Sequence, residues 1–431
     1  MSQFILAVIK STERGEIIMT LLSRFLLLTF LITSSVQAED SLGLVTIHSA
    51  KARAGHLLMT PEMKLDLPDG EYELRDLDSG LRLSTQIVNQ ELYVSLSNPW
   101  TTRKEKRFEI VRKSPSPESE FQNRVKDGNL EFRYDKRPVL TYNITTDEPP
   151  TGANPLYRKS GYLHPVYSPA GHVLTDDFPA DHYHQHGIFH AWVKTTIGTK
   201  EVDFWNQAKG EGTVLHHRLQ NRFAGSQTAG FDTELIHIMD PEKGPRTILK
   251  ELWKIRMHPH ERYNIWQLKS EQSNDSGGDV TINQYHYGGF AFRGRSEWLG
   301  TFQQSGCEMR TDHEDSRENG NHKSARWVVI SGPVESNEGD ADHSMPRSGL
   351  VIMSHPQNFR SPQKVRLHPN KPYFCFCPVV DEKFVLKQGQ TLLLNYLVIT
   401  FDGQISDQDL QEIWQEYSTN IEITLSKPIH E

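Results

Sequence analysis

KELWKIRMHP, residues 250–259, is followed after three residues by YNIWQLKSEQS, residues 263–273. Trp253, Ile255 and Met257 alternate with Lys254, Arg256 and His258, and Trp266 and Leu268 alternate with Gln267 and Lys269. Successive side chains of a strand point to opposite faces, so this period of two predicts a pair of half-buried strands. The pattern continues in both directions: GNLEFRYDKRPVLTYN (128–143) lies upstream, and DVTINQYHYGGFAFRG (279–294), RWVVISGP (326–333), SGLVIMSHP (348–356) and TLLLNYLVITFDG (391–403) lie downstream. Strands at this density, without helical periods between them, predict an all-β chain built on a large antiparallel supersandwich and not a parallel α/β sheet. One helix is expected, from the capping Ser406 to Tyr417, with Leu410, Ile413, Trp414 and Tyr417 on one face.

Outside this block the chain divides further. LVTIHSAKA (44–52), PDGEYELRDLDSGLRLS (68–84), ELYVSLSN (91–98) and KRFEIVRK (106–113) are short strand-like runs, punctuated by the turn dipeptides Asp69-Gly70 and Ser79-Gly80. They predict a small β-domain over 39–113. SPSPESE (114–120) opens a linker over 114–127, and the large domain then spans 128–425. Residues 1–38 read as a leader with a secretory signal: Arg24, an apolar run from Phe25 to Ile32, and Val36-Gln37-Ala38 before the cut. Glu13 and Glu16 are foreign to the basic start of such a signal, which points to translation from Met19. The expected location is the periplasm or the exterior, with no membrane span in the mature chain, since no later apolar run reaches the roughly 20 residues a helical span needs.

A net charge of −8, without a Lys/Arg block, argues against a nucleic-acid partner. Cys307, Cys375 and Cys377 supply no disulfide framework. Nucleophile-elbow, phosphate-loop and dinucleotide motifs are missing.

The residues richest in chemistry are DHYHQHGIFHAW (181–192), where His182, His184, His186 and His190 all take even positions. On a strand they would form a row of imidazoles. Zinc needs nitrogens at about 2.0–2.1 Å, whereas residues four apart on a strand are separated by about 13 Å, so one ion cannot use the whole row. His184 and His186 with His216 from another strand form the candidate set for a divalent transition metal, copper or zinc. General acid/base work is the other reading, with His182, His184, His186 and His286 as the imidazoles and Asp177 and Asp181 supporting them. Trp205, Asn206, Tyr285, Arg293 and His164 are the candidate substrate contacts, since aromatic faces beside amide and imidazole donors suit a saccharide or sugar derivative.

SGYLHPVYSPAGHVLTDDFPADHYHQHGIFHAWV (160–193), VDFWN (202–206), YHYGGFAFRG (285–294), ARWV (325–328), SHPQN (354–358) and ITFDG (399–403) together resemble an exported bacterial family labelled "methane oxygenase PmoA". Methane oxidation is not expected, because the membrane subunit of that name spans a bilayer and this chain lacks a span. A more distant likeness is to the galactose-mutarotase supersandwich, in which His184 or His186 before Gly187, and His286 before Tyr287, match the two histidines. The late strand Pro372–Pro378 lacks the third element, a Glu, so the resemblance implies a fold and not an epimerase mechanism. The expectation is an exported carbohydrate-active lyase, hydrolase or epimerase. The alternatives are a non-catalytic glycan-binding protein and a copper or zinc redox or hydrolytic protein.

Overall fold

The computed structural model describes residues 41–49, 57, 65–94, 105–113, 120–335, 346–419 and 421–426. The leader and residues 114–119 of the linker lie outside these residues. Four antiparallel sheets and a C-terminal helix build the chain. The strands Arg246–His258 and Asn264–Asn274 pair from Leu249 opposite Asn274 to His258 opposite Ile265. They form the centre of an eight-stranded back sheet, in the order Gly212–Ala224, Ala229–Met239, Arg246–His258, Asn264–Asn274, Thr391–Asp402, Arg347–Ser354, Trp327–Pro333, Glu308–Thr311.

A second eight-stranded sheet, the site sheet, packs against it in the order Val365–Leu367, Tyr373–Phe376, Gly289–Arg293, Ile188–Ala191, Leu163–Val166, Arg137–Tyr142, Asn129–Tyr134, Phe121–Lys126. The two sheets share one apolar core that includes Trp192, Trp253, Trp266, Phe290 and Tyr396. Phe290 stacks on Tyr396 with ring centroids 4.2 Å apart. A four-stranded sheet of Lys200–Val202, Thr195–Ile197, Val280–Ile282 and Phe384–Leu386 extends that core. The opposite side of the back sheet is covered by the helix Asp407–Tyr417, whose N-cap Ser406 accepts from the Asp409 N–H. Leu410, Ile413, Trp414 and Tyr417 bury against Val351, Leu397 and Ile399.

Two boundaries differ from the sequence expectation. Residues 121–126 are not linker but the edge strand of the site sheet, turned into Asn129–Tyr134 at Asp127-Gly128, both with positive φ. That Asp-Gly pair is the hairpin signal the linker reading passed over, because the edge strand exposes most of its side chains and lacks an apolar alternation. At the other end, Ile421–Ser426 leaves the large unit and pairs with Ser41–Ser49. It completes a six-stranded sheet with Glu105–Arg112, Gly70–Asp76, Arg82–Val88 and Glu91–Val94, which has its own core around Val45, Tyr72, Leu74 and Phe108.

Candidate functional site

The histidine row is not a strand. His182 N–H donates to the Pro179 carbonyl at 2.8 Å and Gln185 N–H to the His182 carbonyl at 3.0 Å, so residues 179–185 run through two successive turns. Regular pairing begins at Ile188. Gly187 makes the change of direction with φ +35°, where a Cβ would stand 2.0 Å from the Leu163 carbonyl oxygen. Four even-numbered imidazoles therefore reach three surroundings.

His190, within the strand, faces the back sheet. Its Nδ1–H donates to Glu251 Oε1 at 3.0 Å. The same carboxylate accepts from Ser270 at 2.6 Å, Trp253 at 2.7 Å and His237 at 2.8 Å. Glu251, His190 and His237 are fully buried. Burial alone would raise the Glu251 pKa, but the two imidazoles hold it well below the usual carboxylate range. Among the described residues its hydrogen bonds all come from buried groups of the core.

Because Phe290 and His190 point inward, Phe189, Ala291 and Arg293 point to the other face, and the register places Tyr373 and Cys375 there with them. His186 sits under the loop on this face. Its Nδ1–H donates to Asp177 Oδ1 at 2.6 Å, and its Nε2 is buried without a partner. The Tyr162 hydroxyl lies 2.8 Å from Asp177 Oδ2 and 2.8 Å from Asp147 Oδ2. One hydroxyl carries one proton, so contact with two carboxylates requires a proton on one of them. Burial raises the Asp147 pKa, with the Asp177 charge adding to it. Asp177 is also desolvated, but the His186 hydrogen bond and charge outweigh this and lower its pKa. The proton thus belongs on Asp147, giving the line Asp147 to Tyr162 to Asp177, with His186 behind. His164, its Nδ1 2.9 Å from Thr175 Oγ1, feels the charge of Asp147, Asp176 and Asp177, although burial is the larger influence and lowers its pKa.

The middle of the same loop is cationic. Arg293, 0% exposed, holds Asp181 through Nη2 at 2.7 Å and Nη1 at 3.1 Å, and depresses that carboxyl far below its ordinary range. Lys371 Nζ lies 3.2 Å from Asp181 and donates to His182 Nδ1 at 2.7 Å. Asp181 also approaches that nitrogen, at 3.1 Å, but one Nδ1 cannot both accept from Lys371 and donate to Asp181. The shorter contact, from the Lys371 ammonium, leaves His182 neutral, in line with its lowered pKa from burial and from Lys371. The His184 pKa falls to about 3, first through burial and then through the positive neighbours. His184 lies 5.2 Å from the His182 ring, and it neighbours Tyr157, which with Tyr183 (5.7 Å apart) forms a half-buried aromatic pair. A cavity of about 180 Å³, lined by Leu156, Arg158 and Gln207 among others, is built on the same short turn as Tyr157.

Several expected roles are corrected. Trp205 is 1% exposed and packs on Phe189, Tyr287 and Tyr373, so it cannot stack on a ligand. Arg293 is sealed beneath Asp181 and supports the loop instead of touching substrate. His286 is exposed, precedes the Gly289 end of a strand whose other end is Arg293, and is thus not grouped with His186. Asn206 and Tyr285 are half-buried; Asn206 Nδ2 donates to Asp203 at 2.8 Å and to the Tyr287 hydroxyl at 3.0 Å. The metal set does not assemble either. His216 engages Tyr142 and Thr233 on the inner side of the site sheet, whereas His186 lies on the outer side. Among the described residues no group of three His, Cys, Asp or Glu side chains converges as a metal site. Cys307, Cys375 and Cys377 are buried free thiols. Among the described residues no helix is long and apolar enough to cross a membrane.

Sequence reasoning passed over Asp147, Tyr162 and Lys371. Asp147 stands in TTDEPP, which reads as a solvated turn, and Tyr162 lies inside GYLHP without a polar neighbour to mark it.

The model of a family described as "Family of unknown function (DUF6807)" matches residues 129–415. The family labelled as methane oxygenase does not match, and that assignment is corrected accordingly. No curated protein matches the chain. Among solved structures, a polysaccharide lyase shares 12% identity at a TM-score of 0.29, over 70% of this chain and 34% of that one. A GH36 α-galactosidase, AgaB from Geobacillus stearothermophilus, shares 8% identity at a TM-score of 0.29, over 66% of this chain and 40% of that one. The chain therefore spans about a third to two-fifths of the length of these structures, and likeness at this level says nothing of what it acts on.

Proposed function

Since the chain belongs to DUF6807, a family of unknown function, its chemistry has to be read from its own residues, and we propose that it is an exported, carbohydrate-active acid/base catalyst. The observation that carries the reading is the Tyr162 hydroxyl held at 2.8 Å by two carboxylates whose environments push their pKa values apart. Such a pair divides the labour of proton transfer. With a ligand in place, Asp147 gives its one proton to a ligand oxygen instead of to Tyr162. Asp177, kept ionised by His186, takes the Tyr162 hydroxyl proton as Tyr162 takes one from a ligand hydroxyl or a water. The shared hydroxyl keeps the two carboxylates within two hydrogen bonds of each other, close enough for a proton to pass between them through it. Tyr157 and Tyr183 supply an aromatic platform for the C–H face of a sugar, beside the imidazoles of His182 and His184.

The test is turnover of a panel of oligosaccharides by the full chain and by Asp147→Asn and Tyr162→Phe. Loss of a general acid is expected to lower kcat by about 10²–10⁴-fold with binding retained. The wild-type rate should fall as pH rises through the raised pKa of Asp147, and Asp147→Asn should lack that alkaline limb. Asp177, depressed, should impose no acid limb until well below the ordinary carboxylate range. Both variants turning over at the wild-type rate would end the catalytic reading, and saturable binding with no turnover in any of them would favour a glycan-binding protein.

A further inference from the structure

Arg293 and Arg366 share the outer face at one end of the site sheet, Lys371 stands beside Arg293 at Asp181, and Arg317 lies behind them, its Nη2 3.5 Å from Cys307 Sγ; together the four meet a single carboxylate among the described residues. Arg317, 2% exposed, donates through Nη1 to the Gly300 carbonyl at 2.8 Å and lies 3.5 Å from the Lys371 carbonyl through Nη2; its Nε is buried without a partner. Arg293 Nε is likewise buried and unpartnered. Arg366 leaves the strand Val365–Leu367 beside Cys375, and among the described residues its one hydrogen bond is to the Leu367 carbonyl at 3.4 Å. Among the described residues, Asp181 is the only carboxylate paired with any of these four side chains. Arg293 and Lys371 share that one carboxylate, and Arg317, sealed from water, and Arg366 have none among the described residues, a net excess of positive charge that a fold tolerates poorly unless an anion completes the set. His368 lies among them on the turn between Arg366 and Lys371, neutral because burial and then the Arg366 and Lys371 charges lower its pKa to about 4.

We infer that this end of the face is an anion subsite, in which Arg366, Lys371 and His368, backed by Arg317, take the carboxylate or sulfate group of an acidic saccharide. A guanidinium matches two oxygens of such a group at once, and the Lys371 ammonium adds a point charge. The neutral imidazole of His368 adds an N–H donor. The inference rests on the saccharide reading for the remainder of the ligand. The loop from Asp177 to His186 joins the two, carrying the acid/base group at its ends and the Lys371 partners Asp181 and His182 in its middle.

Calorimetric titration of the full chain with neutral, uronate-containing and sulfated oligosaccharides of equal length tests it, at low and at physiological salt. Acidic ligands are expected to bind at least about tenfold more tightly than neutral ones, to weaken with added salt, and to be displaced by inorganic sulfate. In Arg366→Gln the preference for acidic ligands should collapse toward one, with partial rescue in Arg366→Lys. Which acidic ligand binds better separates a carboxylate subsite from a sulfate subsite. Lys371→Gln should act in the same direction; if loss of its contacts to Asp181 and His182 unfolds the loop, Arg366→Gln still decides, since Arg366 has no side-chain partner to lose. Equal affinity for neutral and acidic ligands, unchanged in Arg366→Gln, would overturn the subsite while leaving the catalytic proposal intact. Binding of inorganic sulfate that Arg366→Gln abolishes, with no saccharide bound, would uphold the subsite and overturn the saccharide reading.

Discussion

Lys159 shows what a single residue can carry in this interior. It is 2% exposed, its ammonium donates to the Val214 carbonyl at 2.6 Å, and burial lowers its pKa to about 7, even though the Glu251 charge acts the other way. Below about pH 7 folded and unfolded chains both hold the proton, and the folded state bears the full burden of a buried cation. Between about 7 and the ordinary lysine value near 10.5 the unfolded chain holds one proton more, so this group makes stability rise with pH across that window, by up to about 1.4 kcal/mol per unit. Lys159→Met should lack that slope, so the stability difference between wild type and variant should change across pH 7, 8 and 9 when measured by denaturant unfolding, moving in favour of the wild type as pH rises. A difference that stays flat across the three would show that Lys159 keeps its ordinary pKa when folded. Nothing in the sequence marks this lysine, because burial depends on what closes over it. His190 is similar: its even-numbered place in the row suggested kinship with His186, yet its partner Glu251 lies 61 positions away.

At the scale of the element, a strand through residues 181–192 would place four histidines on one face, and the structure breaks that segment at Gly187. Pro179 and Gly187 were both visible, but whether they interrupt a strand depends on the neighbour at Leu163, which has no room for a side chain. Gly187→Ala should therefore do more than a typical surface change. Backbone strain of about 1–3 kcal/mol adds to a collision with the Leu163 carbonyl, so a loss of about 3 kcal/mol or more is expected in unfolding experiments. The His186–Asp177 pair should be displaced with it, and activity should fall together with stability; a variant that melts like wild type would argue against the kink. The strands themselves were legible. Arg246–His258, Asn264–Asn274 and Thr391–Asp402 follow their alternation because one face of each is pressed into the core, and the helix at Asp407–Tyr417 follows its cap and its apolar face.

Across the whole molecule, Arg256 joins the first sheet to the sandwich. It leaves the back sheet 7% exposed, donates to the Tyr93 hydroxyl at 2.8 Å and to Asp232 at 2.6 Å, lies 3.5 Å from Glu91, and sits 5.3 Å above the Phe223 ring. Gln86 adds a second tie, accepting from the backbone N–H groups of Gln227 and Thr228. Arg256→Met leaves Asp232 and Glu91 without their cation, a loss of about 3–5 kcal/mol for a buried pair broken on one side. It should also uncouple the two units, so that calorimetry gives two transitions where the wild type gives one; a single unshifted transition would show that the other contacts suffice. The amino-acid sequence by itself determined that this protein is a β-sandwich with a C-terminal helix and a loop rich in imidazoles and acids, because alternation, caps and composition act over a few neighbouring residues. Only the tertiary structure decided that Ile421–Ser426 returns to the first strand, that Tyr162 joins Asp147 to Asp177, and that Lys371 meets Asp181 across 190 positions of chain. A period of two says which side chains turn inward, but the partner each one meets is fixed by register and packing between segments distant in the chain.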